Sequence, residues 1–344
     1  MALLIVVVNY RSAAWTELCL TALAPEMVRL GPDAEAIVVD NASGDGSPER
    51  LDAFRRVHFP AAPIRIVEAA QNGGFSYGNN VAIEMWFAER PQDAAGVAND
   101  AVLLLNPDTQ VRPGSLVELT GFLAGHPNVG IAGARLEHAD GRPQAASFND
   151  LGFATEFQQV VQFGPLGRWF GSTVAAPSDQ PVRTGWVSGA CMLVRRAVFD
   201  AVGPMDEGYF LYFEELDFIR RARSAGFECW HVPQSCVVHH VGKTTGVTAV
   251  EDASQRRPAY WYASRQRYFG RHVGIVASML LDTLVVVGDG LGGVLAALRR
   301  RPRARPARFL RDFVRHALTR HHALVAPSRR AGPRLKPREK VGTA

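Results

Sequence analysis

Four short apolar runs, each broken off by polar residues, constrain this chain more than any other feature. They are residues 2–8, 36–39, 64–67 and 102–105. A run without polar alternation suits a strand covered on both faces, the situation of a central strand in a parallel sheet. Helix signals fall between the runs: Ser12 caps a helix through about Leu23, and a second helix is expected over 76–87. This alternation predicts a doubly wound, mostly parallel α/β sheet flanked by helices. The first run has the flavour of an export signal. It lacks a charged leader, however, is short, and passes straight into Asn9-Tyr10-Arg11, so it reads as a buried strand and the protein as unexported. On that reading Asn41-Ala42-Ser43 matches a glycosylation sequon by accident.

The second half is less regular. Residues 135–183, rich in Gly, Phe and Gln, read as loop with short helices. Order resumes at 186–194, followed by a helix over 214–225 and a strand near 227–232. A helix over 258–271 then carries Tyr260, Trp261, Tyr262, Tyr268 and Phe269. With 344 residues, 47% of them hydrophobic, the chain has material for one large or two closely joined globular units. The four cysteines, Cys19, Cys191, Cys229 and Cys236, show no C-x-x-C pairing, which argues against a zinc knuckle or a disulfide scaffold.

Charge divides the chain. The formal net charge is +5, but residues 299–344 hold 15 Lys+Arg against 2 acids, so the remainder is net −8. Just before this basic end, residues 273–298 are nearly all apolar and long enough to cross a bilayer. Asp282 and Asp289, seven residues apart, fall on one helical face. A lipid-facing carboxylate is costly, so a helix lying in the interface or packed on protein is expected rather than a span. Phe309, Leu310, Phe313, Val314, Ala317 and Leu318 then form an apolar stripe with arginines largely off it, suited to an anionic membrane surface. The extreme end is expected to be disordered. Nucleic-acid binding is not expected, since no basic surface is interleaved with aromatics.

Three stretches carry chemistry. Val38-Val39-Asp40-Asn41-Ala42-Ser43-Gly44-Asp45-Gly46-Ser47 places a carboxylate at a strand end, where it can bind a nucleoside, and a small polar loop that lets amides approach phosphate. Gln71-Asn72-Gly73-Gly74-Phe75-Ser76-Tyr77-Gly78-Asn79-Asn80 adds a Gly-Gly turn opening a helix. It is no G-x-G-x-x-G fingerprint, which counts against a nicotinamide cofactor. Next, Leu105-Asn106-Pro107-Asp108-Thr109 delivers an Asp from a buried strand, able to hold Mg²⁺ or Mn²⁺ while a diphosphate supplies other ligands. A plain β-turn with Pro at its second position explains the same residues. Last, Phe210-Leu211-Tyr212-Phe213-Glu214-Glu215-Leu216-Asp217 sets three carboxylates behind an aromatic run, and Val238-His239-His240 closes an apolar strand. Clustered carboxylates are costly unless they meet water, cations or a reacting hydroxyl. Arg220, Arg221 and Arg223, at helical spacing, are able to neutralise them.

In the order V-N-Y-R-S, V-V-D-N-A-S-x-D-G-S, N-x-G-F-x-x-G-N-N, L-L-N-P-D-T, G-A-x-M-L-V-R-R, F-x-Y-F-E-E-x-D and H-H-x-G, the chain resembles family 2 glycosyltransferases. Within that family it is most like bacterial rhamnosyltransferases of cell-envelope glycan synthesis. The motifs span about residues 4–268 and are jointly far more specific than any one. The resemblance implies a GT-A domain over 1–271, with a donor half of about 1–134 and an acceptor half of about 135–271, followed by the tail at 272–344. It implies inversion, a dTDP- or UDP-sugar donor, rhamnose by resemblance alone, Mg²⁺ or Mn²⁺, and a glycan or polyprenyl-diphosphate-linked acceptor. Donor contacts are implied at Asn9, Tyr10, Asp40, Asn41, Asp45, Gly74, Phe75, Asn79, Asn80, Asn106 and Asp108. The metal is implied at Asp108 and His239, with His240 an adjacent alternative. Asn106 replaces the first Asp of the family's D-x-D. The base falls on Glu215, where many relatives carry Asp, which leaves Glu214 and Asp217 as alternatives.

These expectations describe an enzyme at the cytoplasmic face of a membrane, held there peripherally. A nucleotidyltransferase would share the sheet and metal but should need a basic Gly-rich phosphate loop near the N-terminus, and Asn9-Tyr10-Arg11-Ser12 offers one Arg. A non-catalytic membrane adaptor on a transferase fold is the remaining alternative, against which Asp108, Glu215 and His239 argue.

Overall fold

The computed structural model describes residues 1–90, 99–153, 155–156, 173–240, 256–300, 306–319 and 334–336. The first half runs β1 (Leu3–Asn9), α1 (Ala13–Leu30), β2 (Ala34–Asp40), α2 (Ser47–His58), β3 (Ile64–Glu68), α3 (Phe75–Glu89) and β4 (Ala101–Leu105). There follow β5 (Thr109–Val111), α4 (Ser115–Gly125), β6 (Val129–Glu137) and the short β7 (Pro143–Gln144), β8 (Ser147–Phe148), β9 (Val182–Arg183) and β10 (Trp186–Val187). Then come β11 (Cys191–Arg195), α5 (Arg196–Val202), α6 (Glu214–Ser224) and β12 (Glu228–His239). Three helices end the chain: α7 (Ala259–His272), α8 (Ile275–Leu298) and α9 (Phe309–Leu318).

The main sheet has the order β3-β2-β1-β4-β11-β6-β12-β5. Its first four strands are parallel, with Asn9 opposite Asp40 and Val7 opposite Leu105. The chain winds outward from β1 to β3 and then returns to β4 on the other side of β1. Strand order reverses there, so the carboxyl ends of β1, β2 and β4 open onto the crevice where such sheets bind ligands. β11 runs antiparallel between β4 and β6, and β12 runs parallel to β6.

The unalternating runs are explained by two apolar layers. Leu3, Ile5 and Val7 of β1 face the layer holding Leu20, Leu23 and Leu119. Leu4, Val6 and Val8 face the layer holding Val81, Trp86 and Phe218. Each strand residue is buried whichever way it points. Two elements outrun their sequence signals. α1 continues through Pro25 to Leu30, with Leu23, Ala24 and Met27 buried around the proline, and that burial offsets a cost of about 3 kcal/mol. β12 continues past Pro233 to His239, and its pairing with β6 slips between Val232 and Cys236, where the proline has no N–H to give. Within the expected loop at 135–183, β6 reaches Glu137 and short ladders follow; residues 154 and 157–172 lie outside the described residues.

The tail packs on the body more than its composition suggests. α8 is long and apolar enough to cross a membrane, yet one of its faces is packed on protein. Asp282 and Asp289 are both buried there, and Asp282 lies 2.7 Å from Arg265 of α7. The stripe on α9 is partly spent inward: Phe313 is buried beside Tyr262 and Val285, and Asp312 is held by Arg256 at 2.6 Å. The expected disorder of the chain end is corrected at 334–336, where Leu335 forms an antiparallel bridge with Ala69 at the edge of the sheet. Residues 301–305, 320–333 and 337–344 lie outside the described residues.

Candidate active site

At the mouth of β1 and β2, Asp40 is fully buried and organises the loop that follows it. It accepts hydrogen bonds from Asn9 Nδ2 at 2.6 Å, Ser43 Oγ at 2.6 Å and Ser43 N at 2.9 Å. Asn9 is fixed in turn by Ser12 and Thr16, each donating to its Oδ1 at 2.9 Å. Arg11 and Ala42 both adopt positive φ, 51° and 54°, an uncommon conformation for non-glycine residues that here turns the two loops toward each other. Tyr10 is exposed on the rim with the Arg11 guanidinium over its ring. Asp45 accepts from Ser47 Oγ and N, which hold its carboxyl below the ordinary range and start α2.

The Gly-Gly turn is clasped to the aromatic run. Phe75 N donates to Phe210 O at 2.9 Å, and a β-carbon on Gly74 would overlap that same carbonyl, at a φ of +86°. Asn41 donates to Gly74 O at 3.1 Å, joining the two loops, while its Oδ1 is buried without a partner. Asn79 likewise keeps a buried, unpartnered Oδ1. Asn80 is committed elsewhere: it donates to Met205 O and Glu207 Oε1 and accepts from Met205 N. Its amide pins the 205–207 turn and spends both N–H groups there.

Asn106 to Thr109 does form the expected turn, with Thr109 N donating to Asn106 O at 3.2 Å. The turn also delivers Asp108, 1% exposed, to within 3.5 Å of His239 Nε2. β5 pairing with β12 sets this up, since Thr109 lies opposite His239. His240 points elsewhere, stacking on Trp15 and bonding Gln110 at 2.9 Å. Of the two histidines, His239 is the one that faces Asp108.

The three carboxylates of α6 separate sharply. Asp217 is fully buried in a cationic nest: Arg221 at 2.8 Å, His272 at 2.8 Å and Arg271 at 3.0 Å. Burial alone would raise its carboxyl, but His272, Arg221 and Arg271 outweigh it and hold the group below the ordinary range. Helical neutralisation therefore operates at Asp217 only; Arg223 pairs with Asp150 and Arg220 turns to Tyr268. Among the described residues Glu214 and Glu215 have no cation partner, and the Oε2 of each is buried without a hydrogen bond. Burial pushes Glu215 up to about 7, against the backbone amides of the first helical turn, and burial with the Glu215 charge pushes Glu214 well above the carboxylate range. Glu215 keeps part of its surface open and lies near Phe75, which follows the Gly-Gly turn. A β-carbon on Gly189 would sit 3.7 Å from both Glu215 Cβ and Phe75 Cε1.

Just before these acids, Tyr212 and Phe213 take φ of 71° and 69° in succession. Two bulky residues in the left-handed region store of order 1–3 kcal/mol each, and such strain gathers at functional sites. Part of the restraint comes from Asp206, Arg267 and Arg271, which the sequence reading passed over. Asp206 binds Arg267 and Arg271, and Phe213 packs on Tyr268 and Phe269 of α7. The acidic pair in Met205-Asp206-Glu207-Gly208, directly ahead of the aromatic run, was the available signal.

Residues 2–267 match the sequence family described as Glycosyltransferase like family 2. The N-acetylglucosaminyl-diphospho-decaprenol L-rhamnosyltransferase of Mycobacterium tuberculosis is 33% identical over 61% of this chain and 67% of its own length. The low-salt glycan biosynthesis hexosyltransferase Agl10 of Haloferax volcanii is 27% identical over 57% and 55% respectively. In three dimensions, the mannosyltransferase PcManGT of Pyrobaculum calidifontis, solved with GDP-Man and Mn²⁺, matches with a TM-score of 0.51. That match covers 92% of this chain and 80% of the other at 16% identity, which speaks to the shared GT-A fold. With the match spanning the sheet, the donor loops and the acidic helix, the chain belongs to glycosyltransferase family 2 and is a glycosyltransferase.

Proposed function

We propose that this enzyme is an inverting transferase that moves a sugar, rhamnose in our reading, from a dTDP- or UDP-sugar to a lipid-linked or glycan acceptor of the cell envelope. The observation that carries the reading is Glu215. It is a carboxylate without a cation partner among the described residues, raised to about 7, at the start of α6 beside the Gly-Gly turn. A group so poised accepts a proton near neutral pH, whereas Asp217 is already held by Arg221, Arg271 and His272, and burial with the Glu215 charge raises Glu214 well above the carboxylate range.

In this mechanism the loops of Asp40 and Gly74 hold the donor, with the buried amide oxygens of Asn41 and Asn79 available to its hydroxyl or amide groups. Glu215 takes the proton of the acceptor hydroxyl as that oxygen attacks the anomeric carbon. The bond to the nucleoside diphosphate breaks on the opposite face, through an oxocarbenium-like transition state. Asp108 and His239 fit a divalent ion: one carboxylate and one imidazole, with His239 Nδ1 buried and unpartnered and the remaining positions left to a diphosphate. When bound there, Mg²⁺ or Mn²⁺ supplies neutralisation of the leaving group's charge. We place the enzyme peripherally on the cytoplasmic face of a membrane through α8 and the basic tail.

The test is a donor screen with dTDP- and UDP-sugars and an N-acetylglucosaminyl diphosphate polyprenol acceptor, read as nucleoside-diphosphate release and product mass. Release that no acceptor stimulates, with every donor, would remove the transfer reading.

A further inference from the structure

The entry to α7 holds a cation that the mechanism above leaves unused. Five arginines sit on α7 or just ahead of it, and four have carboxylate partners. Arg256 binds Asp312, Arg265 binds Glu156 and Asp282, Arg267 binds Asp206, and Arg271 binds Asp206 and Asp217. Arg257 has no carboxylate partner among the described residues. Its guanidinium lies over the Trp261 ring, 3.8 Å from the centroid, and 5.7 Å from that of Phe309. Removing a guanidinium from water without an anion is costly, and burial does depress its basicity. Stacking on Trp recovers only a small part, about 1–2 kcal/mol.

Aromatic contacts lead from this cation to the catalytic segment. Trp261 itself neighbours Phe213, with centroids 5.8 Å apart, and the adjacent Tyr260 neighbours both Phe210 and Tyr212, at 5.4 and 6.1 Å. Tyr212 is two residues from Glu214 and three from Glu215. An anion paired with Arg257 would therefore lie close to the base, on the same side of α7 as the apolar α8–α9 layer.

We propose that Arg257, stacked on Trp261, is the anchor for the phosphate or diphosphate group of an amphiphilic acceptor. This rests on the transfer function proposed above. The guanidinium takes charge-assisted hydrogen bonds to non-bridging phosphate oxygens. The sugar then extends toward Glu215, and the lipid chain leaves along the apolar layer. An anionic phospholipid headgroup has the same chemistry, and the experiment separates the two.

Arg257→Gln and Arg257→Lys are compared with wild type in neutral detergent micelles free of anionic lipid. Two acceptors are used, N-acetylglucosaminyl diphosphate polyprenol and a neutral alkyl N-acetylglucosaminide. The ratio of kcat/KM for the diphosphate acceptor over the neutral one should fall roughly 10- to 100-fold in Arg257→Gln, mainly through KM, with Arg257→Lys in between. Independently of turnover, inorganic pyrophosphate should bind wild type calorimetrically when the donor site is filled with nucleoside diphosphate, and bind Arg257→Gln at least tenfold more weakly. An unchanged ratio, or equal pyrophosphate binding, overturns the site. Loss of binding to phosphatidylglycerol vesicles with an unchanged micellar ratio also overturns it, in favour of the headgroup. Pyrophosphate binding that depends on Arg257 in a chain that transfers to neither acceptor would leave the anion site standing and sink the transfer reading.

Discussion

At the scale of the residue, the decisive difference among three neighbouring acids is what each one touches. Glu215→Gln keeps the shape and loses the base, so turnover should fall roughly 10²- to 10⁴-fold with donor KM little changed. Glu214→Gln should retain most turnover, since burial and the neighbouring Glu215 charge disfavour the ionised form of Glu214. The pH profile follows from the sign: the active form of Glu215 is ionised, so kcat should fall as pH drops below about 7. Stability runs the other way. A carboxyl raised in the folded protein favours its neutral form there, so this contribution is full below the ordinary carboxylate range and is lost as pH rises through about 7. Glu215→Gln should therefore melt higher than wild type at pH 8, by roughly 1–3 kcal/mol, and equal it at pH 4. Normal turnover in Glu215→Gln with a dead Asp217→Asn would reverse the assignment. Similarly, EDTA should abolish activity, Mn²⁺ or Mg²⁺ should restore it, and His239→Ala should blunt that recovery far more than His240→Ala, measured as the metal concentration for half-activation. The sequence brought these residues into view but could not orient them. Two of Asp217's partners, Arg271 and His272, come from α7, some 50 residues on, and His239 rather than His240 faces Asp108 because β5 pairs with β12 in one register.

At the scale of the element, legibility followed burial. β1, β2 and β4 were readable because residues pointing both ways enter apolar layers, and α7 because its clustered aromatics stand out. The helix α2 was not, since its apolar content is low, and β6 was hidden because its partners β11 and β12 lie 54 or more residues later. The docking of residues 334–336 was invisible for the same reason, and it makes a prediction. Arg334 binds Glu207 at 2.7 Å and Glu84 at 3.0 Å, and its carbonyl accepts from Ala70 N at the root of the donor loop. Glu207 is fully buried and shares its Oε1 with Asn80, so removing the cation leaves a buried carboxylate short of compensation. Arg334→Ala should cost roughly 1–3 kcal/mol in thermal or denaturant unfolding. Lys336→Ala, which removes an exposed pair with Glu68, should cost under about 1 kcal/mol. Equal effects of the two would show that the docked segment contributes nothing beyond a surface contact.

At the scale of the whole molecule, the question is how a body of net charge −8 and a tail of net +13 meet a membrane. α8 is bound to the body by its polar face: Asp282 to Arg265, and Leu281 into the cluster with Phe213, Leu216 and Phe269. Crossing a bilayer would require undoing those contacts and carrying two aspartates into hydrocarbon. The opposite face is apolar and exposed along its length, with Val276, Leu280, Leu291 and Val294 more than about half or nearly half open to solvent. On the peripheral placement proposed above, α8 would lie along the interface with this face down, and the basic tail would add attraction to anionic lipid. Deleting the tail is a poor test, because it would strip Leu281 from beneath the strained Phe213 and disturb catalysis directly. Replacing Val276, Leu280, Leu291 and Val294 by Ser leaves the packed face intact. Full-length protein should co-sediment with phosphatidylglycerol vesicles, and 1 M salt should weaken this only in part, since the apolar share is unscreened. The fourfold Ser variant should bind at low salt through charge alone and be released almost completely at high salt, with micellar turnover retained. Salt-resistant binding by that variant would show that the anchor lies elsewhere. Wild type extractable by detergent alone would mean that α8 leaves the body and spans the bilayer after all.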